Sequence, residues 1–193
     1  VQPSNRIAFK EWSVVCFALA EGRQCLILRK GGIQETGGGF QLEHDEFWLF
    51  PTYEHQTADA LAAEARPWLQ QVERAKPDVG TVRIAHYAVV EDAIDIRDEI
   101  VLPSLVGLHI WSDRTIDERF HYKRHGLAAL IVRVYGMDSA IELLNSPHFA
   151  GCRSWVELPY ELPTAGLQPV LDDASFARHS AAIRVATSPI RLA

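Results

Sequence analysis

The stretch "TVRIAHYAVV" (Thr81–Val90) reads as a β-strand, rich in Val, Ile and Tyr and free of helix punctuation. Glu91 and Asp92 follow as a turn, with a second strand expected near Ala93–Arg97. "GLAALIVRVYG" (Gly126–Gly136) is a second clear strand, and Arg133 within it faces away from Ile131 by alternation, pairs with an acid or lines a cavity. These runs set the reading of the remainder. "SVVCFALA" (Ser13–Ala20) and "QCLILRK" (Gln24–Lys30) flank a Gly turn and read as a hairpin, with a short helix as the alternative for the first. Phe47–Phe50 is a short strand that Pro51 ends or places at an edge.

Helices are fewer. Thr57 caps a helical pattern running through Leu61, Ala65, Trp68, Leu69 and Val72, which Pro67 kinks or splits in two. Leu105–Trp111 suits strand or helix. Thr115–Glu118 has capping-box spacing and predicts a short helix through Tyr122, and Asp138–Asn145 predicts another. Cys152–Leu158 is the last strand. Strands outnumber long helices and do not alternate regularly with them, so a doubly wound sheet is excluded. The expected class is α+β: a mostly antiparallel sheet, partly closed as in a barrel, with short helices packed on it. Residues 1–162 form one domain. Residues 163–193, rich in Pro and small residues, form a tail that is partly ordered or disordered, with one helix around Ser175–Val185.

The chain has 193 residues, 48% hydrophobic and 23% charged, which suits a single globular core. A net charge of -6 excludes bulk electrostatic binding to nucleic acid or anionic membrane, though not a local basic patch. No apolar run has the length of a membrane span, and Val1–Lys10 lacks the apolar core of a signal peptide. Cys16, Cys25 and Cys152 are an odd set without a C-x-x-C pair, which points to reduced thiols and a cytoplasmic protein.

Several clusters could carry chemistry. In "LRKGG" (Leu28–Gly32), Arg29 and Lys30 supply charge while Gly31 and Gly32 let backbone N–H groups turn toward an anion. The competing reading is a solvated strand end, and no phosphate-loop signature occurs. Five glycines in Gly31–Phe40 suit close approach by a ligand. His44 and His55 flank the Phe47–Phe50 strand beside Glu43, Glu46 and Glu54, an arrangement suited to acid–base work or to hydrogen-bonded sheet-edge histidines. At the strand exit, Tyr53, His55 and Gln56 are the residues placed to meet Arg29 and Lys30. His121 and His125, with Glu118 or His109, have zinc-like spacing but no H-E-x-x-H, so no metal site is assigned. Arg119, Lys123 and Arg124, with Trp111, Phe120 and Tyr122, interleave cations and aromatics as a nucleic-acid face does, or form a solvated helix. Asp95, Asp98 and Glu99 lack the following acid-x-lysine of a metal-dependent nuclease. No cofactor is indicated.

The segments "FKEWSVVCFAL", "LILRKGGI", "EFWLFPTYEHQ", "HIWSDRTIDERF", "LIVRVY" and "CRSWVELP" together resemble the domain-of-unknown-function family eighteen-oh-two, common in cyanobacteria. The resemblance covers Phe9–Leu162. Some members stand beside restriction-endonuclease-type domains, which implies a link to restriction–modification and a nucleic-acid or protein partner. It assigns no catalytic residue. A fainter likeness at the level of fold is to PUA-like barrels. The reading is a non-catalytic nucleic-acid-linked binding module. The alternatives are an enzyme on a small or phosphorylated substrate, with His55 or His44 as acid–base, and a protein-interaction domain.

Overall fold

The structure, a computed structural model, describes residues 1–30, 40–151 and 153–188. Its backbone is one long antiparallel ladder. β4 (Thr81–Ile96) and β5 (Leu127–Leu144) pair from Thr81↔Leu144 to Ile96↔Leu127. Glu91, expected in a turn, is a bulge: Val90 pairs with Val132 and Asp92 with Ile131, so the strand bends and continues. The helix expected over Asp138–Asn145 is absent. After an irregularity at residues 137–140, Ile141, Glu142 and Leu143 pair with Ile84, Arg83 and Val82. Leu143 is buried and Leu144 exposed, the period of a strand. Pairing with β4 outweighs the local helical preference.

β1 (Ser4–Trp12), β2 (Leu26–Arg29), β3 (Glu46–Thr52), β6 (Trp155–Pro163) and β7 (Gln168–Pro169) complete a seven-stranded sheet. The order is β2-β5-β4-β3-β1-β6, with β7 on β5. Among the described residues only β1 and β3 run parallel; every other pairing is antiparallel. The expected α+β class with a mostly antiparallel sheet is what forms, and the sheet is curled but not closed. Pro51 lies inside β3, not at its end. It is tolerated because β4 pairs only with Glu46–Trp48, leaving Pro51 bonded to one neighbour, β1.

Alternation along β3 builds two cores. Phe47 and Leu49 face the larger one, with Phe9, Leu26–Leu28 and Val132. Trp48 and Phe50 face a smaller one on the opposite side, with Tyr87, Ile84 and Leu158. Helices cover the larger core. α1 (Ser13–Ala20) replaces the first strand of the expected hairpin. It is buried almost all round, so its sequence carries no amphipathic signal to separate helix from strand. Gln56 caps it: the Val14 N–H donates to Gln56 Oε1 at 3.0 Å. Pro67 lies in the first turn of α2 (Arg66–Arg74), after 3₁₀ turns at Ala58–Ala60 and Ala63–Ala65, so the expected pattern is split and not kinked. α3 (Asp113–His121) starts one turn earlier than expected, because Ser112 and not Thr115 is its cap.

The segment beyond Pro163, read from the sequence as a tail, packs on this body. α4 (Asp173–Thr187) is capped by Asp172, buries Phe176 and Ile183, and forms ion pairs from Asp173 to Arg133 and from Arg184 to Asp92. Gly22, in a left-handed turn after α1, lies so close to Leu171 that a Cβ would meet its Cδ2 at 2.7 Å. Among the described residues no helix is long and apolar enough to cross a membrane.

A buried polar knot fixes the β1–β3–β4 register. Asn5 Nδ2 donates to the Glu46 carbonyl and to Tyr87 Oη, each at 2.9 Å. Tyr87 donates to Glu46 Oε2, and Trp48 Nε1 donates to the Asn5 carbonyl. Burial, first of all, holds the Tyr87 phenol well above its ordinary pKa. Asn5→Ala strands the Ile7 N–H that now donates to Asn5 Oδ1. It is expected to cost about 1–3 kcal/mol in urea denaturation; a change within error would show that the knot carries no stability.

Candidate functional site

Where β1, β2 and β3 end on one side of the sheet, a cleft of about 870 Å³ opens. Lys10, Glu11 and Trp12 come from β1, Arg29 from β2, and Phe50–His55 from β3 and the turn after it. Arg119 of α3 and the segment around Phe149 and Arg153 complete the wall. Four Lys or Arg side chains and His55 thus stand against Glu11 and Glu54, in a chain that is acidic as a whole.

The floor is an ion pair. Glu11 is 4% exposed and its Oε2 accepts from Arg29 Nη1 at 3.1 Å. Its Oε1 accepts from the Trp12 N–H at 2.8 Å. Arg29 also donates to Ser154 Oγ at 2.7 Å and lies over the Phe9 ring, 4.8 Å from its centroid. Arg29 is therefore committed to partners inside the protein. Arg119 is not. Its guanidinium stacks on Trp111 at 3.7 Å, with Trp12 5.9 Å away. Among the described residues it has no hydrogen-bond acceptor or ion-pair partner. Burial pulls the Arg119 pKa down, Glu11 opposes that and Arg29 adds to it; a guanidinium stays protonated through such a shift. A planar fork held flat on an indole, its donors free, is pre-organised for an anion.

The sequence candidates divide between faces. Tyr53 and His55 line the cleft with Arg29 and Arg119. Burial raises the Tyr53 pKa, and Lys76 lies 5.1 Å from its ring centre. His55 is exposed at φ 64°, in the left-handed region. Gln56 faces away, into the α1 cap, where Nε2 also donates to Ser13 Oγ. His44 lies elsewhere, edge-on to Trp155 with ring centroids 5.2 Å apart. Lys30, one residue along the strand from Arg29, points the other way and donates to the carbonyls of Phe120, Arg124 and Gly126. It ties the end of β2 to the C-terminus of α3, the helix that carries Arg119. Gly31 and Gly32, like the rest of the glycine-rich loop through Gly39 and like Cys152, lie outside the described residues.

Trp111 is buried beneath Arg119 and presents no open face for stacking. Lys123 and Arg124 follow α3 on the Lys30 side, and Arg124 lines a separate cleft of about 300 Å³ with Lys30, Arg97 and His125. His121 is held by Glu99 at 2.8 Å and by the Asp117 carbonyl. Among the described residues no three His, Cys, Asp or Glu side chains converge as a metal centre needs. Sequence reading passed over Glu11, Lys10 and Arg153 as site residues. The visible signal is Lys10-Glu11-Trp12, a charged pair directly after the apolar Ile7-Ala8-Phe9 of the same strand.

Removing one side of the Glu11–Arg29 pair leaves the other stranded. Arg29→Met is expected to destabilise the protein by about 2–4 kcal/mol in chemical denaturation, somewhat under the cost of breaking a fully buried pair because Arg29 retains partial exposure. Glu11→Gln with Arg29→Met together should cost less than Arg29→Met alone. A double variant as unstable as the sum of the singles would show that the pair is not coupled.

The chain matches the profile of a domain of unknown function, DUF1802, over residues 8–182, a stretch that contains every residue of the cleft. It is similar to the crystal structure of ASCH from Zymomonas mobilis, with 11% identity, 94% of this chain and 95% of that chain covered, and a TM-score of 0.47. A serine-to-alanine mutant of that protein gives 11% identity over 94% of this chain and 98% of that one, with a TM-score of 0.45. Comparison with curated proteins finds no match. With the profile spanning β1 to α4, the chain belongs to the DUF1802 family.

Proposed function

We propose that this protein is a non-catalytic binding module for single-stranded nucleic acid, working in the restriction–modification setting that its family suggests. The observation that carries the reading is Arg119, a stacked guanidinium whose donors have no acceptor among the described residues, on the wall of a cationic cleft. Single-stranded ligands combine phosphates, which guanidiniums bind, with rings that stack on aromatic faces. Trp12, half-buried in the cleft wall, offers such a face, as does Tyr53. The cleft is the size of a small-molecule pocket, which suits a nucleotide or two of an unpaired strand and not a duplex. The chain's net charge of -6 makes a local cluster of four Lys and Arg side chains the more distinctive.

A second reading shares the cleft: an enzyme on a phosphorylated substrate, with His55 as acid–base and Tyr53 beside it. Its support is that both line the same cleft as Arg29 and Arg119. Turnover separates the two readings, since a binding module leaves the nucleic acid intact.

Arg119→Gln is expected to weaken binding of a short single-stranded oligonucleotide about tenfold or more, and to lower the salt slope by about one. Lys123→Gln and Arg124→Gln should have little effect, because those residues lie off the cleft. Fluorescence anisotropy at two salt concentrations measures both. No binding to any single strand at low salt, or binding indifferent to Arg119→Gln, would overturn the proposal.

A further inference from the structure

On the far side of α3 from Arg119, a second cavity of about 380 Å³ lies between that helix and the 3₁₀ helix Glu99–Leu105. Its floor is apolar, from Leu102, Pro103, Val106 and Ile116. Its polar wall is acidic, from Glu99, Asp113 and Asp117, and among the described residues no lysine or arginine lines it. His121 reaches Glu99 and Asp117 from the edge. Asp113 forms no ion pair among the described residues.

His109 also lines this cavity and is 6% exposed. Its Nδ1 accepts the Trp111 N–H at 3.2 Å, which fixes the neutral ring with its proton on Nε2. Among the described residues Nε2 has no partner. Nε2 itself is shut off from the cavity, so His109 shapes the wall and offers an occupant no donor.

We propose that this cavity is a docking site for a short peptide segment of a partner protein, carrying a basic side chain beside an apolar one. Each part answers a feature of the wall. The cation meets the Asp113 and Asp117 carboxylates, and the apolar side chain meets Leu102, Val106 and Ile116. A free polyamine would meet the acids but offers no branched apolar group for the floor. Val106 of the floor is itself 57% exposed, so the apolar contact is open to an occupant.

The test titrates isotope-labelled protein with a blocked leucyl-arginyl-leucine tripeptide, and with its citrulline counterpart, which keeps the shape and carbonyls but lacks the charge. The arginyl peptide is expected to shift the Ile116 methyl and His109 ring signals saturably at millimolar concentration, and the citrulline peptide to bind about tenfold more weakly. Asp113→Asn combined with Asp117→Asn should cause a similar loss. Leu102→Ala, in an otherwise unchanged amide spectrum, serves as a second variant that weakens binding without altering charge. No shift at Ile116 and His109, shifts confined to the Arg119 cleft, or equal binding of the two peptides would overturn the proposal.

Discussion

The Glu11 carboxylate and the Arg29 guanidinium meet at 3.1 Å, although their strands lie four steps apart in the sheet order. Laid flat, four steps of ~4.8 Å would separate them by about 19 Å. The pair therefore requires the sheet to curl, and the bulges in β4 and β5 allow it. Arg29 extends the same bridge to Ser154, beside β6, so side chains cross the seam that backbone hydrogen bonds leave open. Charge buried at that seam is tolerable because each group is satisfied: Glu11 by Arg29 and the Trp12 N–H, Arg29 by Glu11, Ser154 and the Phe9 face. The cleft exists because the seam does.

The same geometry separates two arginines that look alike in sequence. Arg29 neutralises an internal acid; Arg119 is oriented by Trp111 and, among the described residues, has no ion-pair partner. Lys30, through its three carbonyl acceptors, holds the C-terminal end of α3 against β2 and so fixes where Arg119 stands. Neighbouring cations in one strand thus do different work, one in the floor of the cleft and one in its frame. The reading of the cleft as a binding site rests on this division of labour.

Much of the fold was legible. β-Rich runs at Thr81–Val90 and Leu127–Tyr135 pair as a ladder, and the α+β class follows from their number. What misled was local ambiguity. Ser13–Ala20 is apolar on every side, and only Gln56, reaching from 42 residues away in sequence, caps it as a helix. Asp138–Asn145 is helical by composition and extended by pairing with Val82–Ile84. The site was half legible. Arg29, Tyr53, His55 and Arg119 do share a cleft, but strand alternation sends Lys30 to the other face, and Gln56 is consumed in capping. Glu11 escaped notice because a single acid in a strand acquires meaning only through its partner across the fold.

The central claim is that Arg119, and not the internally paired Arg29, is the cation that meets an anionic ligand. Arginine Nε–H signals observed by NMR during titration with a short single-stranded oligonucleotide test it directly. The account predicts a saturable shift of the Arg119 signal with the Arg29 signal unmoved. A shift of Arg29 with Arg119 silent, or movement of Arg124 alone, would contradict it.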